Sequence, residues 1–440
     1  MVPAMFKNRH PFRARLFLVT GILLVIASCN SSSDPATPTQ NEPPPGNQTN
    51  PPDAPAFVVV VAGDDDSGDI QNTISWTRDP DATGYTVYWD NAPGVTTNSS
   101  IVVPTASGTN YVVHSGVDVL AGNSYFYRVQ AESADGASAL SDEAAGTPQS
   151  SITNNALNDV AWNGTDRLVA VGDSGVILAS PNATTDAWID VAAADVAQQL
   201  TGVTWEGVNS QFLIVGAGSV VLSGDGSTWT QQDLGNLPGA VNLQDVKWLG
   251  DRYIAVGNNG AILTSNIDGS IWAAQDAGEI VANTAFNAVA ASDNIIVVVG
   301  SNGTILTSND AVAWSEQPTR TNNDLNDITW DGSQFVVVGS NDTILTSPDG
   351  VVWTSHLPGT ADINFVAVTQ WDAGLPATPV VAAVGSSGTF VIYPNADPGA
   401  LVHTGTNAQL DGLAWVADGI GNPYFVMVGH DGTVLSAQVP

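Results

Sequence analysis

The chain has 440 residues, 43% of them apolar, and a lopsided charge: 10 Lys and Arg stand against 43 Asp and Glu, for a formal net charge of −33. Four of the basic residues (Lys7, Arg9, Arg13 and Arg15) lie in the first fifteen, so the rest of the chain sets six basic side chains against 43 acidic ones. A surface this acidic excludes nucleic acid and anionic membrane surfaces as partners, the apolar content is ample for two or three packed domains, and the single cysteine, Cys29, excludes an intramolecular disulfide.

After the basic start, residues 16–28 form an apolar run of thirteen, the length of a secretory signal and short for a membrane span. The run ends Ile26-Ala27-Ser28-Cys29, which resembles the lipobox of bacterial lipoproteins. That resemblance implies a signal peptide over residues 1–28, acyl chains on Cys29 and, from Asn30 behind it, the outer membrane on its periplasmic face or at the cell surface. Several acyl chains make a stable anchor. Residues 29–55, rich in Pro, Ser and Asn, cannot form a core and are expected to be an extended tether reaching up to roughly 80 Å.

Residues 56–149 read as short strands with turn punctuation: Thr73–Trp76, Tyr85–Trp89, Ser100–Val103, Tyr111–Val113 and Ser124–Ala131. About ninety residues of this kind predict an Ig-like sandwich. Trp76, Gly84-Tyr-Thr-Val-Tyr88 and Val119-Leu-Ala-Gly-Asn-Ser-Tyr125 resemble the fibronectin type III module, with Trp76 as its core Trp and Tyr125 as its buried corner Tyr. Asp64, Asp65, Asp66 and Asp69 crowd the first turn, a grouping that holds Ca²⁺ in some proteins and is a solvated loop in most.

From Leu157 to the C-terminus one pattern recurs seven times. Its clearest copy is Leu325-Asn-Asp-Ile-Thr-Trp330, Phe335-Val-Val-Val-Gly339, Thr343-Ile-Leu-Thr-Ser347 and Asp349-Gly-Val-Val-Trp353. The glycine closing each Val run falls at Gly172, Gly216, Gly257, Gly300, Gly339, Gly385 and Gly429. A period of about 43 residues built from strand fragments predicts a seven-bladed β-propeller over 150–440. The fold class is therefore all-β, a sandwich followed by a propeller. Ten of the thirteen Trp fall on two repeat positions: Trp162, Trp205, Trp248, Trp330 and Trp415 on the first strand, and Trp188, Trp229, Trp272, Trp314 and Trp353 on the fourth. Periodic placement assigns them to the core. The last repeat lacks a fourth strand, and the alignment of Pro148–Asn155 with Glu316–Asn323 predicts that residues near 147–153 supply it and latch the ring.

The turns beginning at Asp225, Asp268, Asp310 and Asp349 resemble the Asp-box of sialidase-type propellers, in which the Asp is a structural staple. The whole of 151–440 resembles the propellers of photosystem II assembly factors and their bacterial relatives. That resemblance implies a scaffold that binds a protein. The basic patch those proteins use has no counterpart in a propeller whose only Lys and Arg are Arg167, Lys247, Arg252 and Arg320.

Catalytic constellations are scarce. Arg167 and Arg252 share one peripheral repeat position instead of converging on a carboxylate site, no Glu is placed beside Tyr253, Tyr393 or Tyr424 by the repeat, and His356, His403 and His430 lack metal-ligand spacing. One departure from the repeat stands out. A single first-strand position carries Asp159, Asp245 and Asp327 in repeats 1, 3 and 5, and Gly202, Ala288, Phe365 and Gly412 in the others. With the turn residues Asp173, Asn259, Asn302, Asp342, His430 and Asp431, these form an acidic channel mouth able to hold a cation or a basic peptide, or simply to accept backbone hydrogen bonds. The expected protein is a lipid-anchored envelope scaffold, monomeric and non-enzymatic. It needs no cofactor unless Ca²⁺ sits on an acidic cluster, and its partner is another envelope protein or a surface glycan. A carbohydrate-binding module, or a sialidase-like glycosidase, is the alternative.

Overall fold

The computed structural model describes residues 51–440 apart from 107–108, 181–187, 194, 236–238, 278–283, 320, 357–362, 372–379, 395–399, 418–422 and 439–440. Residues 1–50, which include the expected signal peptide, Cys29 and most of the expected tether, lie outside the described residues.

From Leu157 onward the chain folds into successive antiparallel sheets, each a blade whose first strand lies innermost. The first strands are Leu157–Trp162, Leu200–Glu206, Leu243–Trp248, Phe286–Ala291, Leu325–Trp330, Phe365–Trp371 and Leu410–Val416. Blades 1 to 6 have four strands, as the repeat predicts. Each Val run is a second strand buried on both faces, because alternate residues enter different interblade cores. Leu168 and Ala170 meet Val426 and Val428 of blade 7, while Val169 and Val171 meet Phe212 and Ile214 of blade 2.

The glycine that ends every Val run is explained by close approach. A Cβ on Gly172 would sit 2.1 Å from the Ala156 carbonyl oxygen, and one on Gly339 would sit 2.2 Å from that of Asp324. In the next turn the middle residue has a left-handed backbone, as at Asn259 (φ 59°), Asn302 (φ 56°) and Asp431 (φ 56°). Asn and Asp tolerate that conformation better than most residues, so their recurrence here is explained by backbone geometry.

The ring does not close through residues 147–153, which form no strand. The outer strand of blade 7 is β1 (Val59–Asp64), paired antiparallel with Val434–Gln438 through Val60–Gln438, Val61–Ala437 and Ala62–Ser436. The alignment of 148–155 with 316–323 is real but marks something else: the loop leading into a first strand. In both copies a threonine hydroxyl accepts from an asparagine N–H two residues on (Asn155 to Thr153, Asn323 to Thr321), and the threonine carbonyl abuts a turn glycine, Gly432 or Gly303.

Strand β1 also belongs to the second body. It continues through β2 (Ile70–Ser75) to β5 (Tyr111–Ser115), so blade 7 and one face of the sandwich are a single six-stranded sheet. Against it packs a sheet of β3 (Gly84–Asp90), β4 (Ser100–Ala106), β6 (Tyr125–Ser133) and β7 (Gly136–Leu140), in the order β4-β3-β6-β7, with β8 (Ala144–Gly146) beside β6. The sandwich core holds Trp76, Tyr85, Tyr125 and Tyr127. Leu120 N–H donates to the Tyr125 hydroxyl at 2.8 Å, which fixes the corner before β6.

The run Phe57-Val-Val-Val-Val-Ala62 is shared residue by residue. Val58 and Val60 enter the sandwich core, and Val59 and Val61 enter the core between blades 6 and 7. Further contacts tie the two bodies together. Tyr111 stacks on His403 (3.9 Å between centroids), Gln71 Nε2 donates to the Gly405 carbonyl at 3.0 Å, and the Asp66 carboxylate accepts from Asn407 N–H at 3.0 Å. The sandwich is thus fused to the propeller.

Candidate functional site

The central channel has an upper mouth, where first strands begin, and a lower mouth, where they end. The Asn-Asp steps lie at the upper end. Asn158, Asn287 and Asn326 donate their side-chain amides to the Leu200, Leu325 and Phe365 carbonyls of the next blade, at 2.7, 2.8 and 2.6 Å. The aspartates at the next repeat position, Asp159, Asp245 and Asp327, do the converse. Asp159 accepts from Val160 N–H on its own blade and Val203 N–H on the next, both at 2.8 Å. Asp245 accepts from Val246 and Val289, and Asp327 from Ile328 and Val368, in the same way. Each carboxylate therefore joins one first strand to its neighbour, 1 to 2, 3 to 4 and 5 to 6, with both oxygens occupied.

The residues between the aspartates are small because the blades meet there. A Cβ on Gly412 would lie 2.7 Å from Asp159 Cα, and one on Gly202 would lie 3.1 Å from Asp245 Cα. In blade 6 the pairing corrects the sequence alignment. Ala367, opposite Val384, holds the position that Asp327 holds opposite Val338, so Phe365 belongs one step earlier, with Leu325. The series is Asp159, Gly202, Asp245, Ala288, Asp327, Ala367, Gly412.

Lys247, two residues after Asp245, projects into this acidic layer with Nζ 3.6 Å from Asp245 Oδ1. Asp245, then Asp327 and Asp159, raise the Lys247 ammonium above its usual range. Burial pushes Asp159 up to about 6 and Asp327 up to about 7, against the pull of Lys247 and of their backbone donors. The lysine side chain keeps 38% of its surface open, so channel water solvates the group although protein encloses it. Lys247 thus occupies the place among the three carboxylates that the sequence reading gave to an external cation. Among the described residues no group of three or more His, Cys, Asp or Glu is arranged to hold a metal ion.

Asp159, Asp245, Asp327 and Lys247 line an upper cavity of about 450 Å³ together with Asn158, Gln199 and Asp411. The other expected mouth residues do not line it. Asp342 accepts from Ile363 N–H at 2.9 Å, His430 pairs with Asp411 (Nε2 to Oδ2 3.4 Å), and Asp431 is exposed in its turn.

Below the Lys–Asp layer lies a second cavity, of about 580 Å³, which the sequence reading missed. Its walls are Trp162, Trp205, Trp248, Trp330 and Trp415, with Ala291 and Gln370 at the two remaining blades. The five first-strand tryptophans are only half-buried. Four of them pack on an aromatic ring of their own blade: Trp205 on Phe212, Trp248 on Tyr253, Trp330 on Phe335 and Trp415 on Phe425, with centroids 4.6 to 4.8 Å apart. Their open surface faces the chamber. Periodicity alone does not separate a core ring from one that lines a cavity, and five equivalent residues at the ends of innermost strands were the available signal.

The remaining candidates have structural roles. Asp225, Asp268, Asp310 and Asp349 each accept backbone N–H groups two or three residues on, as Asp349 does from Val351 and Val352 at 2.9 Å. Those bonds hold the Asp225, Asp310 and Asp349 carboxyls below the usual range, and for Asp268 the Ser270 hydroxyl contributes most. Arg167 reaches from blade 1 to the Asp225 carbonyl at 3.1 Å, and Arg252 pairs with Asp251 at 2.7 Å. The four aspartates of the first sandwich turn also divide their work. Asp64 accepts from Ser151, Asp65 from Ser67 and Asp69 N–H, and Asp66 from Thr406 and Asn407. Glu206 does sit beside the Tyr253 hydroxyl, contrary to the reading of the repeat. The pair is shut off from solvent: Glu206 is 1% exposed and accepts from Val208 and Asn209 N–H, and Gln211 donates to Tyr253 at 3.2 Å.

No family model matches the sequence, and no curated protein matches it. Solved structures do. YCF48 bound to a D1 peptide is similar at a TM-score of 0.52 and 17% identity, over 65% of this chain and 92% of that one. YCF48 from Cyanidioschyzon merolae is similar at 0.50 and 16%, over 65% and 96%. The WD40 propeller domain of Doa1 is similar at 0.52 and 11%, over 65% and 93%. Likeness at these identities shows the fold, a β-propeller.

Proposed function

We propose that this protein is a non-enzymatic binding scaffold of the bacterial cell envelope, anchored through acyl chains on Cys29 and presenting its propeller to a partner protein. The observation that carries the reading is how the channel spends its charges. Both oxygens of Asp159, Asp245 and Asp327 are bound by backbone N–H groups of two blades, and Lys247 lies against Asp245, so these carboxyls act as staples. A general acid or nucleophile needs a free oxygen facing substrate.

The lower face, by contrast, offers apolar surface on a rigid frame. Val208, Ile271, Val312 and Val352, on its turns in four successive blades, are 63, 68, 57 and 66% exposed. A partner that covers these side chains gains from taking their apolar surface out of water. The structural neighbour YCF48, bound to a D1 peptide, is a propeller that takes a protein segment. The sandwich, with β1-β2-β5 against β4-β3-β6-β7 and buried Trp76 and Tyr125, fits the fibronectin type III module; the four Asp turns fit the Asp-box.

The test is affinity capture from solubilised envelope with the full chain as bait, beside radiolabelled palmitate incorporation in wild type and Cys29→Ala. The reading predicts one enriched protein partner and label lost in the variant. Capture of nothing, or turnover of a glycoside substrate, overturns it.

A further inference from the structure

We infer that the lower chamber receives a cationic side chain, Arg or Lys, from a basic segment of the partner protein. This deepens the scaffold reading and rests on it. Three independent observations converge. First, the walls are indoles: five half-buried Trp rings, four already backed by an aromatic ring of their own blade, present their remaining surface to one cavity. Cations bind to such faces, most strongly to Trp.

Second, the floor carries two carboxyls against one ammonium: Asp159 and Asp327 line the chamber with Lys247, whose ammonium is drawn toward Asp245, outside the chamber and nearer the upper mouth. A cation arriving from below meets the indoles first, and then a floor whose own cation is already engaged by Asp245.

Third, the outer turns on the same face of the blades are acidic, and the cations of that face are already engaged. Asp225, Asp268, Asp310 and Asp349 stand exposed on the turns at this end, with carboxyls held below the usual range and therefore ionised at neutral pH. Among the described residues, the basic side chains here are Arg167, bonded to the Asp225 carbonyl, and Arg252, paired with Asp251. The exposed aliphatics on the same turns, Ile271, Val312 and Val352, suit a segment that carries apolar as well as basic residues, and a chamber of about 580 Å³ admits a long side chain with part of its backbone.

Gln370, exposed at one of the two positions where the Trp ring is broken, provides the test without touching a core. The full chain is titrated calorimetrically with an acetylated Arg-Val-Arg-Val peptide, with the same peptide carrying citrulline for arginine, with tetramethylammonium and with maltotriose. The arginine peptide and tetramethylammonium are expected to bind, the citrulline peptide about tenfold more weakly than the arginine peptide, and maltotriose not at all. Gln370→Arg should weaken the arginine peptide by about tenfold and Gln370→Glu should tighten it severalfold, both effects shrinking in high salt. Equal binding of the two peptides, binding of maltotriose instead, or indifference to Gln370→Arg overturns the inference. Envelope capture repeated with Gln370→Arg separates the two claims: a partner retained at full yield refutes the chamber and leaves the scaffold standing.

Discussion

Strand β1 is the place where one small change should reach two bodies at once. Val58, Val59, Val60 and Val61 are 3, 1, 0 and 1% exposed, and they alternate between the sandwich core and the core joining blades 6 and 7. Replacing a buried Val by Ala removes two methyl-sized groups, about 1.6 kcal/mol by transfer, and the unfilled space adds to that. Each substitution should therefore cost about 2 kcal/mol. The double variants Val58→Ala/Val60→Ala and Val59→Ala/Val61→Ala should each cost about 4 kcal/mol. For the roughly 340 described residues the unfolding entropy is near 0.7 kcal/mol per kelvin, so either pair should lower the melting temperature by about 6 °C. Differential scanning calorimetry is the assay. Because the strand is shared, both pairs should move one common transition by the same amount. Two resolved transitions, with the 58/60 pair moving one and the 59/61 pair the other, would refute the claim that sandwich and propeller unfold as a unit.

The channel carboxyls make a pH prediction with a definite sign. Asp159 and Asp327 titrate near 6 and 7 when folded, above the usual carboxyl value, so the folded chain holds more protons than the unfolded one between about pH 4 and 7. Stability should fall across that window, by a few kcal/mol at most once channel water is allowed for, and Lys247→Met should steepen the fall in urea midpoints; a flat profile in both proteins contradicts it. The turn aspartates act oppositely, being lowered, and their contribution is lost only as pH drops below about 4. Gly412→Ala should cost about 1–3 kcal/mol by driving a methyl to 2.7 Å from Asp159 Cα, whereas Gly164→Ala, with nothing within 4 Å of its Cβ, should cost only what a positive φ demands. Asp349→Ala, which strips two N–H groups of an exposed turn, should cost about 1 kcal/mol in chemical denaturation.

The propeller is legible in the sequence because its signals are local and repeated. Val runs need burial on both faces, the following glycine meets a carbonyl that admits no Cβ, and each turn Asp bonds the amides just after it. What fails are readings that need partners distant in sequence. The apolar run Phe57–Ala62 lies in front of every repeat, so nothing local ties it to Val434–Gln438 at the other end of the chain, although a doubly buried strand is visible in it. The Asp159, Asp245 and Asp327 pattern is correctly found, but its meaning depends on Lys247, and the repeat gives no reason to look for one lysine among small residues. Phe365 is misplaced because blade 6 starts Asn-Phe-Val-Ala where blade 5 has Asp-Leu-Asn-Asp, and only strand pairing fixes that register. The Trp ring looks like core because periodicity reports equivalence and not exposure.

The most direct test of the account is site-specific photocrosslinking in intact cells. A photoreactive amino acid is placed at Ile271 or Val352 on the lower rim, and at Asn302 or Asp431 on upper turns. A covalent adduct with one envelope protein is expected from the lower positions and none from the upper ones. Adducts confined to the upper turns, or absent from all four positions, would contradict it.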